Sequence, residues 1–221
     1  MPTKPEPGAP KQVWYACYGS NLNYERLLCY IKGGTAKGRC EANEGCRDQC
    51  PPAEARTISL EFELYFAGCF KAWGNAGLAF IRERTGRCQT LGRIYLITDD
   101  QFNDVVMQEN FVRVDGSRFV PPIELLARQR VSTLPGNRWY GSIVNIGTIG
   151  GIPILTFTTT RTDLHPTPNR PSPEYLKVIV AGIKETYPEM TDAEIAAYFL
   201  RAEGIRGQID PVQLLDWIQA A

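Results

Sequence analysis

The chain has 221 residues and 24.7 kDa, a length for one domain with or without a helical appendage. Apolar residues make up 43% and charged residues 22%, which excludes disorder as the default state. Lys plus Arg is 24 and Asp plus Glu is 24, balanced along the chain, so there is no basic field for nonspecific nucleic-acid binding; nor is there an apolar run of ~18 residues to span a membrane.

The start, MPTKPEPGAPKQ, lacks an apolar h-region and reads as a flexible polar tail over residues 1–12. Val13 to Cys17 is a short apolar run with the character of a buried strand. It leads into Tyr18-Gly19-Ser20-Asn21, a tight polar turn. Tyr24 to Ile31 has helical spacing, with Leu27, Leu28 and Ile31 on one face, and Gly33-Gly34 stops it. Residues 34–55 are rich in Gly, Pro and Cys and read as a long surface loop. Strand signals follow at Ile58 to Phe66, Gly77 to Ile81 and Thr90 to Ile97. Thr98-Asp99-Asp100-Gln101 is a capping box that opens a helix running through Glu109. Trp139 to Ile146 and Ile152 to Thr159 are strand-like, and residues 160–173 form a Pro-rich connection. Then the period changes. Ser172-Pro173 opens a helix over about 174–186, Thr191 to Glu194 caps a second and Asp210-Pro211 begins a third. Strands first and helices last make the fold class α+β.

Two local features carry chemistry. Offsets of three, four and seven from Phe102 give Val105, Val106 and Glu109, so this carboxylate lies on the apolar stripe of its helix. Apolar neighbours disfavour its charged form and raise its pKa, the preparation a general acid or base needs. The alternative is a last-turn glutamate that bends out to water. The second feature is the turn at 18–21. A strand, a Gly-bearing turn and a helix cluster backbone N–H groups, and such a nest can hold a carboxylate or an oxyanion. Gly19 removes a Cβ and allows close approach. An ordinary strand-to-helix turn is the plainer reading.

Other constellations are weaker. Seven cysteines without an export signal read as reduced cytoplasmic thiols. The spacing of Cys40, Cys46 and Cys50 is not that of a zinc site, and one histidine, His165, cannot supply a multi-histidine metal centre. Ser20 with His165 lacks the Gly-x-Ser-x-Gly elbow of a hydrolase. Trp73, Trp139 and Tyr140 read as core or wall, not as stacking surfaces for nucleic acid.

Four pieces, in order, resemble the gamma-glutamylcyclotransferase-like family. They are Tyr18 to Leu22 after the first strand, Trp73-Gly74-Asn75-Ala76-Gly77-Leu78-Ala79, Leu91-Gly92-Arg93-Ile94-Tyr95 with the helix ending at Glu109, and Pro171-Ser172-Pro173-Glu174-Tyr175 continuing through Ile179 and Gly182. The resemblance implies a small mixed β-barrel with flanking helices over residues 13–190, with 34–55 as a loop insertion and 191–221 as a C-terminal helical extension. It implies a transferase or lyase of glutathione metabolism that cleaves a gamma-glutamyl amide by intramolecular attack of the α-amine. The products are 5-oxoproline and an amine or amino acid. Glu109 would be catalytic, and Tyr18, Gly19, Ser20, Asn21, Leu22, Gly77 and Tyr175 would bind substrate. A small-molecule substrate is expected, with no cofactor, metal, nucleic acid or membrane partner, and an oligomer is left open. The same fold could also bind a ligand without turnover, using the 34–55 loop and the helical tail as partner surface.

Overall fold

The computed structural model describes residues 11–35, 42–83, 89–160 and 167–221. Most of the tail, Cys40, Cys88 and His165 lie outside the described residues. Strands β1 (Gln12–Cys17), β2 (Glu54–Leu60), β5 (Thr90–Thr98), β6 (Val131–Thr133), β7 (Ser142–Ile149) and β8 (Ile152–Thr158) form a six-stranded sheet in the order β2-β5-β1-β8-β7-β6. The β1–β8 pair is parallel and its neighbours are antiparallel. Strands β3 (Glu63–Phe70) and β4 (Ala76–Arg82) form a separate two-stranded sheet.

The expected barrel is therefore corrected. Among the described residues the strands do not close into one ladder. Side-chain hydroxyls bond to the β4 backbone, one from the main sheet and one from a helix. Ile81 N–H donates to Thr158 Oγ1 at 3.2 Å, and that hydroxyl donates back to the Ile81 carbonyl at 2.7 Å. The Ala79 N–H donates to the Tyr175 hydroxyl at 3.2 Å. These backbone groups of Ala79 and Ile81 are satisfied, yet the two sheets stay separate.

Elements with strong local signals form where expected. Helix α1 spans Tyr24–Lys32 and α2 spans Asp99–Glu109, the latter with both bonds of the Thr98–Gln101 capping box. A short α3 covers Ile123–Leu126. Helix α4 (Pro173–Thr186) is capped by the Ser172 hydroxyl, which accepts the Tyr175 N–H, and α5 (Asp192–Phe199) by Thr191 with Glu194. Helix α6 (Pro211–Gln219) begins at Asp210, which accepts the Val212 and Gln213 N–H groups.

Three boundaries differ. The run expected as one strand over 58–66 breaks at Glu61-Phe62 into β2 and β3, which belong to different sheets. Trp139 and Tyr140 are turn residues and β7 starts at Ser142. The buried face of α1 is Arg26, Leu27, Tyr30 and Ile31, with Leu28 only half-buried.

The three C-terminal helices pack on the same core as the sheet. Ile195, Phe199, Leu214 and Ile218 are buried, and the Phe66 and Phe199 rings lie 6.3 Å apart. Lys184 Nζ donates to the Ile218 carbonyl at 2.8 Å and so fastens α6 to α4. No helix among the described residues is long and apolar enough to cross a membrane. The described cysteines, Cys17, Cys29, Cys46, Cys50 and Cys69, are free thiols. Cys46 is buried against the Tyr30 and Gln101 carbonyls while Cys50 is exposed.

Burial holds an unusual number of phenols neutral. It pushes Tyr15, Tyr18 and Tyr140 well above the usual tyrosine value, and also raises Tyr95, Tyr175 and Tyr198. Raised folded pKa values mean that the native state keeps protons the unfolded chain releases above pH ~10. Stability is therefore full below that pH and falls above it, by about 1.4 kcal/mol per pH unit for each such group. We expect one cooperative alkaline transition in which phenolate absorbance and loss of circular dichroism coincide. Phenols that ionise near pH 10 in a chain that stays folded would contradict it.

Candidate active site

Strand β1 delivers the chain into the turn 18–22, where Ser20–Leu22 form one turn of 3-10 helix. Several groups fix this turn from behind. The Tyr95 hydroxyl lies 3.2 Å from both the Asn21 and Leu22 carbonyls, and Arg93 Nη1 donates to the Leu22 carbonyl at 3.2 Å. Gly182 of α4 lies so close that a Cβ there would overlap Asn23 N and Leu22. The Tyr18 hydroxyl donates to the Phe157 carbonyl at 2.8 Å. The bonds that close the turn run from Leu22 N to the Gly19 carbonyl and from Asn23 N to the Ser20 carbonyl. The N–H groups of Gly19, Ser20 and Asn21 donate to no described residue. They are the orphan donors expected at a helical start.

Helix α2 ends at Glu109, which it brings beside this turn. Phe102, Val105 and Val106 on its stripe are buried, and Glu109, one turn on, is half-buried. Its immediate setting includes the Asn21 amide and several phenols, where the stripe suggested apolar neighbours. The Asn21 amide donates at 3.0 Å both to Glu109 Oε1 and to the Tyr15 hydroxyl. The Glu109 charge adds to burial in raising the neighbouring phenols Tyr15, Tyr18, Tyr140 and Tyr175 and the Cys17 thiol, so all of them stay protonated beside it.

Asn110 ties this helix end to the wall. It donates to the Tyr140 carbonyl and accepts the Tyr140 N–H, both at 3.0 Å. That pairing is why Trp139-Tyr140 is a turn and not the start of β7.

A narrow crevice of about 20 Å³ runs along Tyr15, Gly19, Ser20, Asn21, Ala79 and Glu109. It is flanked by an outer cavity of about 320 Å³, a ligand-sized space. Ser20, Glu109, Tyr140 and Tyr175 line both. Trp73 packs on the Tyr175 ring at 5.0 Å in the outer cavity. At its lip Phe111 stacks on Phe70 at 5.4 Å, and Phe70 meets Trp139 edge-on at 5.2 Å. Phe111 is 60% exposed with φ of 55°, at the left-handed position after a helix that glycine usually takes. An exposed aromatic held in that conformation marks a strained lip.

Of the residues singled out from sequence, Glu109, Tyr18, Gly19, Ser20, Asn21 and Tyr175 meet around the crevice. Leu22 is buried behind the turn. Gly77 lines neither space. Its N–H donates to the Arg170 carbonyl at 2.9 Å, and a Cβ would overlap the Asn169 carbonyl, so it permits a backbone crossing. Sequence reasoning missed Tyr15, Tyr30, Phe70, Phe111 and Arg26 as site residues.

The close approach expected at Gly19 does not depend on a missing Cβ: φ is −112°, and a Cβ there would stand 3.5 Å from Ala79 Cβ and from the Tyr175 hydroxyl, ordinary contact distances. Gly19→Ala should therefore change stability by less than about 1 kcal/mol. Gly19→Val, with bulk beyond Cβ, should push against the Tyr175 hydroxyl and weaken ligand binding at nearly unchanged Tm. Equal affinity for both folded variants and the parent would remove Gly19 from the ligand surface.

The comparisons with known proteins bear on the fold first. A solved gamma-glutamyl cyclotransferase matches with a TM-score of 0.50, covering 96% of this chain and 100% of its own, at 17% identity. A human protein described as uncharacterized gives a TM-score of 0.49 at 19% identity, over 95% of this chain and 99% of that one. In sequence, Histone deacetylase 5 of Arabidopsis thaliana is 39% identical over 160 residues, 69% of this chain and 24% of that protein. The chain thus spans about a quarter of the plant protein's length. No family model matches. The chain has the gamma-glutamyl cyclotransferase fold.

Proposed function

We propose that the protein is a gamma-glutamylcyclotransferase-like enzyme that releases 5-oxoproline from a gamma-glutamyl amide. The observation that carries the reading is the Glu109 carboxylate, held by Asn21 and lining one phenol-walled crevice with the Gly19–Asn21 turn, whose N–H groups donate to no described residue. A gamma-glutamyl amide contains its own nucleophile, the α-amine, and its own electrophile, the γ-carbonyl. The reaction needs pre-orientation, proton transfer and charge stabilisation.

Each part has a candidate. Once the α-ammonium has released one proton to solvent, Glu109 takes a second from the same nitrogen as it attacks the γ-carbon. It returns a proton to the leaving amine as the old C–N bond breaks, closing the lactam. General acid–base work of this kind contributes roughly 10²–10⁴-fold. The turn N–H groups hold the α-carboxylate, or the oxyanion as it develops. The phenols stay neutral and donate without competing for Glu109's role. In this reading Tyr175, braced by the Ala79 N–H and Trp73, sets the cavity wall against which the glutamyl chain folds.

The reading is tested by incubating the purified chain with a panel of gamma-glutamyl amino acids, peptides and amines and measuring 5-oxoproline. Release above the uncatalysed rate from at least one member is expected. A panel that stays silent while the chain binds its members would favour a ligand-binding role on the same fold.

A further inference from the structure

Arg26 is a charged side chain for which the reaction above has no use. It is 3% exposed, on the buried face of α1, and it lines the outer cavity together with Glu109. A buried cation is costly unless it is paired. Yet Arg26 makes no ion pair among the described residues. Its Nη1 donates to Asn43 Oδ1 at 2.9 Å and its Nη2 to the Tyr30 hydroxyl at 2.7 Å, both neutral acceptors. Its guanidinium lies 4.4 Å from the centroid of the Tyr30 ring. Nε is buried with no acceptor. A guanidinium has five N–H groups in a fork matched to carboxylates, and two of them are engaged here.

The cavity's other charges indicate what the missing anion would be. At the rim Glu44 pairs with Arg113 at 3.6 Å, so those two offset each other. Glu109 faces the α-ammonium in the proposed reaction, and the turn N–H groups face the α-carboxylate. Among the described lining residues that leaves Arg26 as the positive charge without an anionic partner. The only remaining part of a gamma-glutamyl amide is the leaving group.

We propose that Arg26 reads a carboxylate on the leaving group, and so selects amino-acid or peptide leaving groups over neutral amines and against cationic ones. The inference rests on the cyclotransferase reading for the orientation of the substrate. A carboxylate would complete the guanidinium's pairing. A neutral leaving group would leave it uncompensated, and a cationic one would meet repulsion. Asn43 and Tyr30 hold the fork in place without neutralising it, which makes them positioning residues for Arg26.

The test compares gamma-glutamyl-alanine with gamma-glutamyl-alaninamide, which differ only at that carboxylate. In the parent protein kcat/KM for the acid should exceed that for the amide by ~10–100-fold, the range of a hydrogen bond to a charged partner. Arg26→Gln should abolish the ratio by acting on the acid alone, and Arg26→Lys should keep part of it. Should Arg26→Gln fail to fold, the parent's ratio and that of Arg26→Lys still decide. A parent ratio near one, or an Arg26→Gln that slows both substrates equally, overturns the proposal. If neither compound yields 5-oxoproline, the same pair is titrated by calorimetry. Tighter binding of the acid then supports Arg26 while the reaction fails, and equal or absent binding of the two overturns the Arg26 assignment as well.

Discussion

Glu109→Gln should bind a gamma-glutamyl amide and not turn it over. The amide keeps the shape of the carboxylate and can still meet the Asn21 side chain, which at present donates to Glu109 Oε1 at 3.0 Å. It has no exchangeable proton of suitable acidity, so the transfer between the two nitrogens loses its carrier. A loss on the order of 10³-fold or more in kcat is expected, towards the upper part of the general acid–base range. Affinity for a non-cleaved analogue should change far less, since binding rests on the turn and the cavity walls. A variant with near-parental kcat and unchanged fold would dismiss Glu109 as the proton carrier. Glu109→Asp is a useful companion, because it keeps the acid but retracts it from Asn21. It should retain partial activity where Glu109→Gln retains almost none.

The second large effect concerns a residue that touches no ligand. Gly182 lies inside α4, where alanine would ordinarily stabilise a helix by about 1 kcal/mol. Gly182→Ala should do the opposite. A Cβ there would overlap the Asn23 amide nitrogen and the carbonyl carbon and Cβ of Leu22, which are backbone and near-backbone atoms without freedom to swing away. Overpacking of this kind costs about 1–3 kcal/mol, and in a chain of this size each kilocalorie lowers Tm by roughly 2–4 °C. The displaced segment is the one that carries the Gly19–Asn21 donors, so activity should fall further than stability explains. A variant as stable and as active as the parent would show that α4 is not seated against the turn as described.

Signals confined to a few residues were readable in the sequence. The Thr98–Gln101 and Thr191–Glu194 capping boxes, Ser172-Pro173 and Asp210-Pro211 each open a helix at the expected place, because a cap is chemistry between near neighbours. The position of Glu109 on the stripe of Phe102, Val105 and Val106 was equally local. What escaped depends on distant partners. Nothing between 58 and 66 announces that the chain changes sheets at Glu61-Phe62, since both halves have β character. The aromatic pair Trp139-Tyr140 looks like strand, and the pin that makes it a turn is Asn110, thirty residues earlier. Arg26 left a usable trace. It stands four residues before Tyr30 on the buried side of α1, so the spacing argument applied to Glu109 would have placed a second charge indoors.

The seam between β4 and the main sheet has a further meaning. Where two edges could have zipped together, Thr158 of β8 lends its hydroxyl to Ile81, while Tyr175 of α4 lends its own to Ala79. A continuous ladder would draw the strands to about 4.8 Å and leave no room between them. The Thr158 hydroxyl bridges them in place of a ladder, and the crevice is lined by Ala79 of β4, Phe157 of β8 and Tyr175 of α4. Void and scaffold are in this sense one design decision: the side chains that complete the hydrogen bonding of β4 do so without closing the ladder that would fill the crevice.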